Sequence, residues 1–182
     1  MAVGRPRFTA AALLMLAATS LPAYLAQREP YAKPTGMDYS AAADVVKDRA
    51  LHGDFVLLES NVSWNPTTLR AVLSARPDAF SGLVDVGRGH SALDLPYFWD
   101  ENLPVEDVRR RLHDCRTVWL LTDAGRDFPS TFVHTTNEVW TLRAHHLVDD
   151  PIFRELRSQK FTVTSSVQLN VSQVVRLDRT TT

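Results

Sequence analysis

Apolar and polar positions along the chain separate a charge-free stretch near the N-terminus from a longer region of alternating helix and strand periodicity. No charged residue occurs from Phe8 to Gln27. A helix of about 20 residues rises about 30 Å, the thickness of a hydrocarbon core, so this pattern predicts one transmembrane helix within residues 1–27. Arg5 and Arg7 precede it, which favours a single-pass protein of the cell membrane with an extracytoplasmic C-terminal domain.

Two other interpretations of this stretch stay open. Leu13–Leu16 is typical of the apolar region of a secretory signal peptide, and Ala18–Ser20 supplies small residues for cleavage. The stretch also contains Pro22 among many alanines, which fits a buried helix of a soluble domain. An anchor and a signal peptide would both export the rest of the chain. Residues 28–37, with their prolines and glycine, are typical of a linker.

The region after the linker begins with a helix and a strand. Asp38 is a suitable N-cap for a helix over residues 39–51, and Gly53 suits the left-handed residue that ends a helix. Phe55–Leu58 is an unbroken apolar run, which is typical of a strand covered on both faces.

The same alternation continues along the chain. Pro66 and Pro104 each begin a predicted helix, and residues 83–86 and 117–121 are predicted strands. Helices that alternate with apolar strands favour a parallel sheet with helices packed on it. Cys115 directly precedes one of these strands and is therefore predicted to be a small core residue.

Two further helices are predicted towards the C-terminus. Thr135 and Glu138 have the spacing of a capping box for a helix that ends near Leu147. Asp150 followed by Pro151 is a suitable start for a shorter helix.

The closing segment changes periodicity. Residues 161–177 alternate between apolar and polar side chains, with Asn170 at a turn, which predicts an antiparallel hairpin. The predicted fold class is therefore α/β, with an open, mostly parallel sheet flanked by helices and a C-terminal antiparallel hairpin. One domain over residues 38–179 accounts for all these elements.

The net charge and the absence of known motifs exclude several classes of function. The formal net charge of −1 gives no basic field, so nucleic acid is not a predicted partner. The single cysteine excludes an internal disulfide framework and a multi-cysteine zinc site. The sequence has no Gly-x-Ser-x-Gly elbow and no His-Glu-x-x-His motif. No catalytic residue, metal or cofactor is therefore predicted.

Polar residues follow the predicted parallel strands at the edge where ligands of open α/β sheets bind. Glu59 and Asn61 follow the first strand, Asp85 lies at the end of the second, and Asp123 follows the third. Their carboxylates form a candidate cluster for a cation or for sugar hydroxyls. The alternative is that they are solvated loop residues that end the strands.

Two loops offer further binding candidates. Arg88 and His90 lie in the glycine-containing loop 87–90, whose backbone amides and cation suit a phosphate. The alternative is a plain mobile connection. Trp99 is the aromatic candidate for a sugar ring, and the alternative is that it anchors its polar loop over residues 96–103.

A cluster of histidines and aspartates near the C-terminus suggests a metal site. His145 and His146 precede Asp149 and Asp150. Adjacent histidines of a helix point about 100° apart and do not share a metal ion. A structural role, with one histidine packed and one exposed, is therefore predicted.

Five segments resemble, in order and spacing, the C-terminal extracytoplasmic domain of a family of bacterial membrane glycosyltransferases. They are Asp38–Val46, Gly53–Leu57, Arg116–Leu120, Leu156–Phe161 and Val174–Arg179. The family comprises the polytopic GT-C enzymes of the protein-mannosyltransferase-like superfamily, which take sugars from polyprenyl-phosphate donors. The resemblance implies a cell-envelope domain that binds an acceptor glycan or a membrane-embedded glycosyltransferase.

The sequence departs from that family in one respect that bears on activity. The catalytic acidic residue of the family lies in the first extracytoplasmic loop, among membrane helices without a counterpart in this sequence. No catalytic residue is carried over, and whether the chain is an enzyme stays open. The alternatives are a small exported hydrolase or sugar-modifying enzyme that uses the strand-end carboxylates, and a gene fragment without independent function.

Overall fold

The structure, a computed structural model, describes residues 6–26, 38–59, 69–96, 100–135 and 138–180. Within them the helices are α1 (Pro6–Ala26), α2 (Tyr39–Arg49), α3 (Ala71–Ala75), α4 (Val105–Arg111) and α5 (Pro151–Ser158). The strands are β1 (Phe55–Leu58), β2 (Val84–Asp85), β3 (Thr117–Asp123), β4 (Ser130–Thr135), β5 (Glu138–Leu142), β6 (Phe161–Gln168) and β7 (Ser172–Arg179). Single 3-10 turns occur at Pro77–Phe80, Ala92–Asp94 and Leu147–Asp149.

A five-stranded sheet in the order β2-β1-β3-β7-β6 forms the centre of the domain. Strand β1 is parallel to β2 and to β3, whereas β7 is antiparallel to both β3 and β6. Four of the five strands therefore run in one direction. The predicted α/β class, with a mostly parallel sheet and a C-terminal hairpin, is confirmed.

The predicted helix from Thr135 to Leu147 is wrong. Strands β4 and β5 pair there as a separate antiparallel hairpin, and only a short 3-10 turn forms near Leu147. The segments Ser130–Thr135 and Glu138–Leu142 are rich in Thr, Val and aromatic residues, which favour strands. The Thr-x-x-Glu spacing therefore spans the end of one strand and the start of the next.

Helix α1 forms in the charge-free stretch, where a helix was predicted. Every side chain described there, from Thr9 to Leu25, is exposed. Among the described residues, no helix combines the length and the apolar character that are needed to cross a membrane. The structure therefore does not support the predicted transmembrane helix.

Two apolar clusters cover the two faces of the central sheet. On the face of α2 and α3, strand residues pack with Ala42, Val46 and Val72. On the face of α4 and α5, strand residues pack with Val108, Phe153 and Leu156. Strand alternation distributes the side chains, with Leu58, Trp119 and Leu121 in the first cluster and Leu57, Val118 and Leu120 in the second, which also contains Cys115. The predicted burial of Cys115 is confirmed.

A buried carboxylate fixes the start of α2 to the far end of the chain. The Asp38 side chain is fully buried and accepts hydrogen bonds from the Val171 amide (2.7 Å), the Ser172 amide (3.2 Å) and the Ser172 hydroxyl (2.6 Å). It caps no helical amide of α2 with its side chain. Asp38 therefore joins α2 to the turn of the β6–β7 hairpin instead of acting as the predicted N-cap.

Candidate functional site

The carboxyl ends of β1 and β3 lie side by side and bring polar residues together. Parallel pairing of Leu58 with Leu121 continues as a hydrogen bond from the Glu59 amide to the Leu121 carbonyl, 2.9 Å long. Glu59 therefore lies next to Thr122. Both side chains are buried, so the apolar strands end in a polar environment with little access to water.

Thr122 connects the sheet to the start of α5. Its hydroxyl donates to Asp150 Oδ2 over 3.1 Å and lies 3.4 Å from His145 Nε2. Asp150 Oδ1 accepts from the Ile152 and Phe153 amides, at 2.8 and 3.1 Å, which caps α5. The predicted helix start at Asp150 is confirmed. The same carboxylate also accepts the bond from Thr122 and so connects β3 to α5.

Two neighbouring hollows form what we call the polar cleft. The first hollow has a volume of about 140 Å³ and is lined by Glu59, Ala144, His145, His146, Asp149, Asp150 and Pro151. The second has a volume of about 440 Å³ and is lined by Gly125, Arg126, Asp127, His145, His146, Leu147, Val148, Ser166, Gln168 and Gln173. The two hollows share His145 and His146, so one ligand can contact residues of both.

Arg126 holds one wall of the polar cleft. Its backbone pairs with His145 in both directions, at 2.9 and 3.0 Å. Its guanidinium donates to the carbonyl of Val171 at 3.0 Å. Burial lowers the pKa of Arg126, and the negative charges of Asp123 and Asp38 oppose that shift. The guanidinium of Arg126 therefore forms hydrogen bonds within the wall of the cleft and does not extend into solvent.

The C-terminal hairpin contributes amide side chains to the larger hollow. Gln168 Oε1 accepts from the Gly125 amide at 3.0 Å, and Gln168 Nε2 donates to Gln173 Oε1 at 2.5 Å. Gln173 Nε2 in turn donates to the Asp123 carbonyl at 2.7 Å. The chain of bonds fixes the positions of the amides that face the larger hollow.

The predicted carboxylate cluster does not assemble. Glu59 lies on the α5 face of the sheet with Thr122, whereas Asp123 follows Leu121 by two positions and lies on the α2 face. Asp85 pairs with Val56, two residues before the end of β1. Only Glu59 of the three carboxylates lines the polar cleft.

Asp85 takes part in a buried ion pair instead. Both of its oxygens accept from the guanidinium of Arg70, whose side chain is 1% exposed. Asp85 Oδ1 also accepts from the Gly87 amide at 3.1 Å. Burial raises the pKa of Asp85, while the charge of Arg70 and the Gly87 amide act to lower it. Asp85 fixes α3 to the end of β2, a structural role.

The backbone of the glycine-containing loop 87–90 is hydrogen-bonded to residues 101–103. Gly89 and Glu101 form backbone bonds across it, as do Leu103 and Gly87. Arg88 forms an ion pair with Asp100 at 2.7 Å. His90 is exposed, and its Nε2 lies 3.9 Å from Glu101. The arginine proposed for a phosphate is thus paired with a carboxylate, that of Asp100. Asn61 and Trp99 lie outside the described residues.

The sequence placed the histidines near Asp150 in a helix, and this was wrong. His145 pairs with Arg126 in extended backbone, and the 3-10 turn Leu147–Asp149 follows His146. His145 is partly buried against Thr122 and His146 is half exposed. Among the described residues no group of His, Cys, Asp or Glu has the geometry of a metal site. These residues contribute to the polar cleft, which sequence reasoning missed.

Comparisons with known proteins place the chain in no family. No family model matches the sequence, and no curated protein matches it at a significant level. Among solved structures, the chain is similar to 1,6-didemethyltoxoflavin-N1-methyltransferase from Burkholderia thailandensis, whose structure contains 1,6-didemethyltoxoflavin and S-adenosylhomocysteine. The identity is 12% over 100% of this chain and 93% of that chain, with a TM-score of 0.36. A likeness at this TM-score carries no argument about function.

Proposed function

We propose that the protein is a membrane-associated, extracytoplasmic glycan-binding domain that presents an acceptor glycan to a separate membrane-embedded glycosyltransferase. The observation that carries the proposal is the polar cleft at the carboxyl ends of β1 and β3. The resemblance of the sequence to the C-terminal lobes of lipid-linked-sugar glycosyltransferases supplies the transferase as a partner. The catalytic group would come from that partner.

The chemistry of the polar cleft suits a ligand rich in hydroxyl groups. Glu59 and Asp149 supply carboxylate oxygens that accept from hydroxyls, and His145 and His146 supply imidazoles that donate or accept. Gln168 adds a side-chain amide at the larger hollow. Sites that orient neutral polar ligands commonly combine a few such groups in a concave surface. Neither hollow is lined by a pair of cations for a phosphate.

The alternative of a hydrolase finds less support. It requires Glu59, Asp85 and Asp123 in one hollow, and their separation described above argues against that geometry. A hydrolase that uses these three strand-end carboxylates is therefore the less-supported alternative.

Helix α1 supports association with a membrane. The consecutive residues Leu13, Leu14, Met15 and Leu16 are 62–71% exposed and point in all directions around the helix. Each such side chain gains about 1.5–3 kcal/mol when it leaves water. Apolar side chains on all sides of one helical turn are stabilised when an apolar environment covers them. Lipid is the environment we propose, and Arg5 and Arg7 would contact anionic head groups.

Membrane fractionation of the full-length protein tests this part of the proposal. We expect the protein in the membrane pellet, and we expect protease added to intact spheroplasts to digest residues 38–179. A protein that stays soluble in the cytoplasm contradicts the proposal. Purification of the intact protein with neither a membrane partner nor any glycan would also count against it.

Binding to cell-envelope oligosaccharides tests the polar cleft. The double variant His146→Ala/Asp149→Ala removes two half-exposed side chains of the cleft. The matched control His113→Ala/Asp114→Ala removes an exposed pair that does not line the cleft. On an oligosaccharide array followed by titration calorimetry, the cleft variant should lose about tenfold in affinity, equivalent to ~1.4 kcal/mol. No binding by the wild type, or equal losses in both variants, would refute the proposed site.

A further inference from the structure

Strand β6 forms one edge of the central sheet. It is eight residues long, and β7 pairs with one of its sides from end to end. In the part of the chain that the structure describes, no strand pairs with its other side. A long edge strand presents backbone amides and carbonyls to which a further strand can be added. The opposite edge of the sheet, β2, has only two residues and offers no comparable length.

The edge at β6 lacks the side chains that usually keep exposed strands apart. From Phe161 to Gln173 the sequence has no charged residue and no proline, although charged residues make up 23% of the chain. Charges and prolines on an edge strand prevent its pairing with another sheet. Thr162, Val163 and Thr164 are instead β-branched and exposed, which favours strand pairing. This composition suits a partner strand that is equally uncharged.

One bulge interrupts the edge near its middle. The register between β6 and β7 shifts between Val163 and Ser165. A bulge increases the local twist and bends the strand at that point. From Ser165 to Gln168 the register with β7 is regular. The second half of β6 therefore keeps the geometry of a strand beside which another strand fits.

The charge at the start of β6 distinguishes the two directions in which identical strands can pair. Lys160 directly precedes the strand. Parallel pairing would place Lys160 of one copy beside Lys160 of the other, and like charges opposite each other in a sheet are destabilising. Antiparallel pairing places the two lysines at opposite ends, about 30 Å apart for strands of this length. Antiparallel pairing of identical strands also has two-fold symmetry, which closes the assembly at a dimer.

We propose that the protein forms a homodimer in which β6 of one copy pairs antiparallel with β6 of a second copy, so that the two five-stranded sheets become one continuous sheet. When the two strands overlap fully, Ser166 lies opposite Val163 of the second copy, and Gln168 lies opposite its Phe161. Ser166 and Gln168 line the larger hollow of the polar cleft. The second copy thus adds a wall to that hollow. The pairing requires neither a glycan nor a membrane, so it stands independently of the proposed function.

A lysine introduced on either edge of the sheet tests the interface. Val163→Lys places a charge on β6, and the matched control Val84→Lys places one on β2, at the other edge. The two valines are 41% and 46% exposed, so neither substitution disturbs the core. Sedimentation equilibrium of the full-length proteins, in a mild detergent chosen to cover α1, measures association from about 1 to about 100 μM. We expect a dimer for the wild type and Val84→Lys, and a dissociation constant about tenfold higher for Val163→Lys.

Three results would overturn the dimer at β6. The first is a wild type that stays monomeric at every concentration. The second is an equal effect of the two lysines, or no effect of either, because association would then occur elsewhere, for example through α1. The third comes from amide exchange of the wild type, which needs no variant: exchange in residues 161–168 should slow as the concentration rises, and unchanged exchange contradicts the pairing. Urea midpoints of the variants verify that both are folded.

Disulfide formation tests the direction of the pairing. In the fully overlapping antiparallel pair, position 165 lies opposite position 164 of the second copy, whereas position 162 lies about 17 Å along the strand from its own equivalent. A disulfide requires Cα atoms within about 7 Å of each other. Mild oxidation should therefore link Ser165→Cys chains into a covalent dimer and leave Thr162→Cys chains unlinked, with Cys115 buried in both. Any other pattern of linkage overturns the antiparallel arrangement.

Discussion

At the scale of single residues, Asp54 accepts hydrogen bonds from two parts of the chain. Its Oδ2 lies 2.9 Å from Trp119 Nε1 and 3.0 Å from the Leu51 amide. The Asp54 carboxylate therefore connects Leu51, in the segment between α2 and β1, to Trp119 in β3. Gly53, with φ of +89°, supplies the left-handed backbone that brings Asp54 into position. The Gly-Asp pair before an apolar strand thus has a structural reason.

The Trp119–Asp54 bond yields a prediction about stability. Trp119→Phe keeps an aromatic ring in the core but removes the donor to the carboxylate, so we expect a loss of about 1–2 kcal/mol in the free energy of unfolding. Urea denaturation of the wild type, Trp119→Phe, Asp54→Ala and the double variant measures the coupling. Strictly additive losses would show that the bond contributes nothing.

Cys115 illustrates how burial controls reactivity. Its side chain is 1% exposed, and burial raises the pKa of its thiol to about 12. Because the thiolate is the reactive form, we expect no reaction of the folded protein with a disulfide reagent at pH 8. After addition of guanidinium chloride, one thiol should react per chain. Rapid reaction without denaturant would contradict the burial of Cys115.

At the scale of elements, Asp38 decides how α2 and the β6–β7 hairpin fit together. Asp38→Ala leaves two amides and one hydroxyl buried without their acceptor, so we expect a loss of about 2–4 kcal/mol in the free energy of unfolding. Asp48→Ala is the matched control, because Asp48 is exposed on the same helix. Its effect should stay within about 0.5 kcal/mol. Equal denaturation midpoints for the two variants would refute the proposed role.

The elements that the sequence predicted correctly have several local signals that agree. The apolar run Phe55–Leu58 is too short for a typical helix and follows Gly53, which favours a buried strand, and the alternation in residues 161–177 favours strands of a hairpin. The segment over β4 and β5 was misassigned because a four-residue capping pattern was given more weight than the β-branched and aromatic residues around it. A local motif is weaker evidence than the composition of the whole segment.

The candidate site was harder to predict because it depends on register and on distant contacts. The sequence predicts Glu59 at the end of a strand, and in the structure Glu59 directly follows β1 and lines the polar cleft. The sequence does not reveal the pairing of Leu58 with Leu121, which separates Glu59 from Asp123 on opposite faces. Nor does it reveal that Arg126 pairs with His145, nineteen positions later. Such contacts arise from tertiary structure.

At the scale of the whole molecule, helices α4 and α5 are joined across one face of the sheet by an ion pair. Arg109 Nε and Nη2 donate to the two oxygens of Glu155 at 2.7 and 2.5 Å. Gln159 donates to the same carboxylate at 2.8 Å. Glu155 is 8% exposed and Arg109 is 62% exposed, so solvent partly screens the pair. The pair links two helices that each contribute to one apolar cluster.

The Arg109–Glu155 pair predicts a dependence of stability on acid. The hydrogen bond from Arg109 holds the pKa of Glu155 below its ordinary value. Folding therefore favours the ionised carboxylate of Glu155. Its stabilising contribution is complete above about pH 4.3, the pKa of Glu in the unfolded chain. The contribution is lost as the pH falls through the lower pKa of Glu155 in the folded protein. Glu155→Gln should be less stable than the wild type at pH 7, and the difference in urea midpoint should shrink below pH 4.

The control is Arg110→Ala, which breaks an exposed pair within α4. This variant should leave the dependence of stability on acid pH as it is in the wild type. If the difference between Glu155→Gln and the wild type is the same at pH 7 and pH 3, ionisation of Glu155 does not join the two helices.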